Sequence, residues 1–154
     1  AKQIVIAHTV ESFDGRYFGV RGNSGLFHHV SPGRMFQSKE DAVALSKSVV
    51  CSSLTKAAIY GHDANWGRIL CALGYSGVQF DPQRVDLYFE SAAGRLQIIE
   101  NGVALDYSEE KATEILSQEA VTAICDMKMG EEMATAWGCD LTYDYVKINA
   151  DYRS

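Results

Sequence analysis

The sequence predicts an α+β fold, a mixed and mostly antiparallel sheet with helices packed on it. Three observations carry this. Runs at 85–90, 95–100, 121–127 and 133–140 read as strands, and in the first and third of them apolar residues alternate with polar ones. Stretches at 42–50 and 112–116 repeat apolar residues at helical spacing. Asn101-Gly102 is a two-residue hairpin signal between apolar runs.

Taken in order, Gln3 to Val10 alternates loosely and is rich in β-branched residues, which predicts a strand. From Glu11 to Gln37 the glycines and Pro32 predict turns and short extended pieces. Ser38 is placed to cap a helix, with Asp41 in the reciprocal position and Ala42, Val43, Leu45, Val49 and Val50 forming its apolar face. Ser52-Ser53 reads as a loop, and Ala57-Ala58-Ile59-Tyr60 as a short buried strand. A helix follows from Asn65, capped by Asp63 or Asn65, with Ile69, Leu70 and Leu73 inward and Gly74 just past its end.

Asp81-Pro82 marks a turn, after which Val85, Leu87 and Phe89 alternate with Asp86, Tyr88 and Glu90. Arg95 to Glu100 is a second strand, turned by Asn101-Gly102 into Val103 and Leu105. Ser108 caps a helix through Leu116, with Glu109 and Glu110 at its positive end. Two strands, Val121 to Met127 and Met133 to Asp140, join around Gly130 with Glu131-Glu132 at the tip. Thr142 caps a final helix carrying Tyr145, Val146 and Ile148; from the residues alone the chain end reads first as a frayed tail, with docking through the apolar bodies of Tyr143, Tyr145 and Tyr152 as the alternative.

The 154 residues are one domain by size, 47% hydrophobic and 22% charged, as in a globular chain. A net charge of -6 argues against nucleic acid or an anionic membrane as partner, and no apolar run is long enough to span a bilayer. No secretion signal is visible at the start. Cys51, Cys71, Cys125 and Cys139 are too scattered for zinc and read as buried free thiols; His8, His28, His29 and His62 have no ligand partners in sequence. No metal is expected, and no serine, histidine and acid form a catalytic set.

The candidate site lies at Gly61 to Leu70. Read as strand, turn and helix, it places Asp63, Asn65, Trp66 and Arg68 where free amides, an aromatic wall and a guanidinium fork could line an anionic ligand. The structural alternative has Asp63 capping, Trp66 packing and Arg68 in an ion pair.

Asp63-Ala64-Asn65-Trp66-Gly67-Arg68-Ile69-Leu70 with Gly74-Tyr75-Ser76-Gly77, and the terminal run from Trp137-Gly138-Cys139-Asp140 to Asn149-Ala150-Asp151-Tyr152-Arg153-Ser154, resemble the ornithine acetyltransferase family. These are the bifunctional glutamate/ornithine N-acetyltransferases of arginine biosynthesis. The resemblance runs from about Ser38 to Ser154. It divides the chain into 1–37, a divergent N-terminal segment, and 38–154, the C-terminal region of the family's β chain.

The resemblance implies a layered α/β fold shared with self-cleaving aminopeptidases. It implies a precursor that cuts itself before a threonine, which becomes the nucleophile with its own amine as base. Acetyl then passes from N-acetylornithine through that threonine to glutamate. Acetyl-coenzyme A is a further donor for many members, and no cofactor is required. Asn149 and Ser154 match an asparagine and a hydroxyl residue that contact substrate. Catalytic residues are absent from this chain: it begins Ala1-Lys2-Gln3, and no internal threonine has the family's Ala-Thr-Met-Leu context. The family's Gly-Glu-Gly-Ala-Thr-Lys glutamate has no counterpart either, since Arg21 to Phe27 contains no acid.

The expectation is therefore an acetyltransferase portion that works with a missing α chain and the N-terminal part of the β chain, as a hetero-oligomer. Its setting is the mitochondrial matrix if fungal-type, otherwise cytoplasmic. Residues before about Gln37 are expected to stem from a different exon or reading frame, or from divergent replacement. The alternative is a non-catalytic interaction or assembly domain that keeps the fold.

Overall fold

A computed structural model describes residues 3–6, 19–21, 39–130 and 132–152. The strands are β1 (Gln3–Ile6), β2 (Gly19–Arg21), β3 (Asp86–Ser91), β4 (Gly94–Glu100), β5 (Val103–Ala104), β6 (Ala120–Asp126) and β7 (Met133–Cys139). The helices are α1 (Lys39–Cys51), α2 (Ser53–Tyr60), α3 (Trp66–Gly74), α4 (Glu109–Leu116) and α5 (Tyr143–Asp151). The strands form a single mixed sheet in which β3, β4, β5 and β6 are antiparallel neighbours.

β1 and β2 occupy one lane of this sheet. Each pairs parallel with β6 and antiparallel with β7. On β7, Ile6 lies opposite Ala136 and Gly19 opposite Thr135, so the chain leaves the lane and re-enters it at the next rung. β6 and β7 therefore flank an inserted lane and are not a hairpin. Sequence proximity around Gly130 suggested direct pairing, but two intervening strands satisfy their facing backbone groups instead.

One sheet face is covered by helices. Leu87 and Phe89 of β3 meet Cys125 and Ala123 of β6 across the ladder, and all four are buried with Val121. Ile69 and Leu73 from α3 and Ile115 and Leu116 from α4 close over them. Each such side chain contributes about 1.5–3 kcal/mol by leaving water. α1 lies on β7, where Ala134, Ala136 and Gly138 leave room for it. A Cβ on Gly138 would stand 3.2 Å from Val50 Cβ. Ser46, buried in this contact, donates to Ala42 O at 2.7 Å.

The hairpin turn is as predicted: Asn101 (φ 48) and Gly102 (φ 74) take the paired positive φ of a type I′ turn. Asp86, expected on the polar side of its strand, is only 8% exposed. Its Oδ1 accepts from Asn101 N–H at 2.6 Å and from Lys128 Nζ at 2.8 Å, and Lys128 Nζ also donates to Asn101 Oδ1 at 2.6 Å. The buried carboxylate thus ties the β4–β5 turn to the end of β6. Alternation alone could not show this, because it registers a polar residue without its partners.

Other expectations change. Ala57–Tyr60 is not a strand but the second half of α2. Ser52, taken for loop, is its N-cap, with its Oγ accepting from Thr55 N–H. A four-residue apolar run fits strand and helix equally well, and the capping serine decides. Gly74 is the last residue of α3, not the residue beyond it, and Tyr75 closes the helix. Of the cysteines only Cys125 is buried; Cys51, Cys71 and Cys139 are exposed free thiols. The predicted extension of the first strand to Val10, and the Ser38 cap, lie outside the described residues.

Candidate functional site

Asp63, Asn65, Trp66 and Arg68 form the elbow between α2 and α3. α2 ends in a Schellman closure: Asp63 N–H reaches Ala58 O at 2.9 Å and His62 N–H reaches Ile59 O at 3.2 Å. His62 takes the left-handed conformation this requires, with φ 57, although Gly61 stands beside it. Asn65, not Asp63, caps α3: its Oδ1 accepts from Arg68 N–H at 3.1 Å while its Nδ2 donates to Asp63 Oδ2 at 2.9 Å. Trp66 N–H is bonded to Ala64 O. The expected anion cradle is thus already engaged internally at two of its first-turn amides. It also does not sit at a strand end, since the element before it is helical.

Arg68 donates from Nη1 to Leu54 O at 3.1 Å, so its guanidinium bridges the two helices, and among the described residues it forms no ion pair. Trp66 is 37% exposed, half packed and half presented to solvent. The loop before α4 lies close by: Tyr107 has its pKa raised by burial, then by the charges of Glu109 and Asp63. Glu110, capped back onto Ser108 Oγ at 2.8 Å, is held below its usual carboxylate range by its backbone and Ser108 hydrogen bonds. These acids serve the helix start, as the sequence suggested.

The final helix adjoins the same elbow. Tyr60, at the end of α2, meets Tyr143, at the start of α5, edge to face with ring centroids 5.6 Å apart. Leu141 N–H lies 3.4 Å from Lys56 O and anchors the approach. Beyond this contact α5 buries no residue: Tyr145, Val146, Ile148 and Tyr152 are exposed. The tail is helical as predicted, but it stands on this domain by its first turn instead of docking along its length.

Asn149 sits on α5, with its Nδ2 donating to Tyr145 O at 2.8 Å. Ser154 lies outside the described residues. The structure therefore gathers Asp63, Asn65, Trp66 and Arg68 into one elbow and joins α5 to it through Tyr60, the last residue of α2 and not of a strand. Among the described residues no group of three or more His, Cys, Asp or Glu side chains could hold a metal ion. No single helix there is long and apolar enough to cross a membrane.

Comparison with known proteins places these features. The model of the ArgJ family matches residues 34–154. The arginine biosynthesis bifunctional protein ArgJ of Thermotoga neapolitana is 55% identical over 116 residues, which are 75% of this chain and 29% of that protein. A mitochondrial ArgJ of Schizosaccharomyces pombe is 45% identical over 120 residues, covering 77% of this chain and 27% of the relative. The crystal structure of ArgJ from Bacillus halodurans matches 98% of this chain and 58% of its own, with a TM-score of 0.75 and 34% identity. The chain thus spans less than a third of the length of these curated relatives. Its sheet, its helices and its two long motifs are those of one family, and the chain belongs to the ArgJ family.

Proposed function

We propose that this chain is the scaffold and substrate-contact portion of a glutamate N-acetyltransferase. The enzyme moves acetyl from N2-acetyl-L-ornithine to L-glutamate in arginine biosynthesis, with acetyl-coenzyme A as a further donor. Residues 38–154 correspond to the C-terminal region of the β chain, and 1–37 to a divergent segment before it. The observation that carries this reading is the ArgJ family match over 34–154, together with the α2–α3 elbow and α5 that its two motifs build.

The nucleophile belongs to another part of the enzyme, an N-terminal threonine whose amine serves as its base. The contribution of this chain is positional. Asn149 and Ser154 supply an amide and a hydroxyl to the amino-acid substrate, while Asp63, Asn65, Trp66 and Arg68 shape and stiffen the adjoining wall. The α chain and the N-terminal part of the β chain complete a hetero-oligomer. A fungal-type member works in the mitochondrial matrix and a bacterial one in the cytoplasm.

The test is reconstitution. The isolated chain transfers no acetyl from N-acetylornithine to glutamate. Co-expression with the part of the Thermotoga neapolitana relative outside the matched residues restores transfer. A folded, co-purifying assembly without activity overturns the proposal, as does turnover by the isolated chain.

A further inference from the structure

We infer that α5 docks an outward apolar stripe into a groove on the part of the family polypeptide lying outside this chain, and gains its helical stability there. Every residue of the helix, Tyr143 to Asp151, is exposed. Its nine residues are fewer than the roughly 12–15 with which an isolated helix holds itself in water, so packing has to be supplied from outside it. This domain supplies the Tyr60–Tyr143 ring contact at the first turn. The later turns bury nothing against it.

Helical geometry sets the stripe. At about 100° per residue, Tyr145 and Ile148 stand roughly opposite Tyr143, and so point away from the domain, within about 60° of each other. Tyr152 follows one turn on from Ile148 and ends the helix. These three are 53%, 67% and 79% exposed. Their i, i+3, i+7 spacing is that of the anchors by which a helix seats in a groove. Tyrosine at two of the three positions suits such a contact, with the ring buried and the hydroxyl at the wet rim.

The comparisons identify the occupant. The family match runs through all of α5 to residue 154, while this chain covers 29% of the Thermotoga neapolitana protein and 58% of the Bacillus halodurans crystal chain. Proteins with this fold therefore carry further polypeptide of their own around it. A second copy of this chain is the competing occupant, and area counts against it. A helix about 14 Å long cannot bury on one face the roughly 800 Å² per partner of a stable interface. A groove in the family's own polypeptide, held in place by other contacts, has no such requirement. The inference rests on family membership and not on the acetyl-transfer reading.

The test is amide hydrogen exchange over Tyr143–Asp151. In the assembly co-expressed with the remaining part of the Thermotoga neapolitana relative, these amides should exchange at least about tenfold more slowly than in the isolated chain. Tyr145→Gln with Ile148→Gln removes the stripe without lowering helix propensity, and should abolish that slowing. Loss of co-purification in this double variant alone has the same meaning. Lys147→Gln, on the Tyr143 side, should leave the slowing intact. An assembly in which α5 exchanges as fast as in the isolated chain overturns the inference, as does slowing that survives the double substitution. So does an isolated chain whose α5 is already as slow as in the assembly, whether light scattering shows a monomer or a dimer. Should the parent parts fail to co-purify, the full-length relative decides: slow exchange throughout its matching helix upholds the inference and fast exchange overturns it. Protection without acetyl transfer would uphold this inference while overturning the activity, and transfer with α5 unprotected would do the reverse.

Discussion

The ring of Tyr143 stands perpendicular to that of Tyr60, at 87° and 5.6 Å between centroids, and this contact fastens α5 to the elbow. Tyr143 is 81% exposed, so its worth lies at the low end for aromatic pairs. Tyr143→Ala should cost about 0.5 kcal/mol of stability. Amide exchange across Tyr143–Asp151 should quicken more than in the core, and an unchanged α5 would show that the contact anchors nothing.

Asp86 depends on its cation. Lys128→Met keeps the alkyl stem and removes the donor, leaving the carboxylate of Asp86, a residue only 8% exposed, to the Asn101 N–H across the turn. The expected loss is about 1–3 kcal/mol, toward the lower end because Lys128 is itself partly exposed. Denaturant midpoints measure it, and a double-mutant cycle with Asn101→Ala should show coupling between the two positions.

Gly102 is irreplaceable on two counts. Its φ is +74, and a Cβ there would run into Pro82 O and lie 2.6 Å from Gln83 Cα. Gly102→Ala should destabilise by about 2–4 kcal/mol, left-handed strain added to a backbone clash. Gly77→Ala makes the control: its φ is +86, yet nothing stands within 4 Å of the added carbon. Only the strain term should appear there.

Cys125 sets an alkaline limit. Complete burial, with Asp126 nearby, pushes its thiol from the ordinary 9.0 to about 12. The folded state therefore holds a proton that the unfolded state releases. Its stabilising effect is complete below pH 9 and fades as pH rises from 9 toward 12, approaching about 1.4 kcal/mol per pH unit within that window. Tyr88 and Tyr107, raised above 10.0 chiefly by burial, act in the same direction at higher pH. Unfolding free energies against pH should show the decline, and Cys125→Ala should flatten its first part. In native protein an alkylating reagent should modify Cys51, Cys71 and Cys139 while sparing Cys125.

Asn149 is exposed, bonded within its own helix, and so contributes little to folding. Asn149→Ala should change the stability of the isolated chain by less than about 0.5 kcal/mol. In the reconstituted enzyme it should raise the KM for N-acetylornithine by roughly 5–150-fold, the range for a lost substrate hydrogen bond of about 1–3 kcal/mol. An unchanged KM would remove Asn149 from the substrate site.

Much of the fold was legible because local signals decided it. Alternation found β3 and β6, Asn101-Gly102 fixed its turn, and Ser108 and Thr142 began their helices as capping chemistry requires. What stayed hidden depends on distant partners. Ala57–Tyr60 is helical because Ser52 nucleates it and Lys56 O is met by Leu141, far along the chain. Likewise the separation of β6 from β7 depends on two short strands near the N-terminus, which no local pattern near Gly130 could announce. The elbow residues adjoin one another in sequence, but their inward-turned hydrogen bonds follow from cap geometry that residue types alone leave open between Asp63 and Asn65.

The shared lane of β1 and β2 has an evolutionary corollary. Because Ile6 and Gly19 meet successive rungs of β7, the span between them can lengthen or shorten without shifting any ladder by a residue. The sheet is thus built to accept grafted sequence at that point, and variation there leaves the rest of the architecture in register.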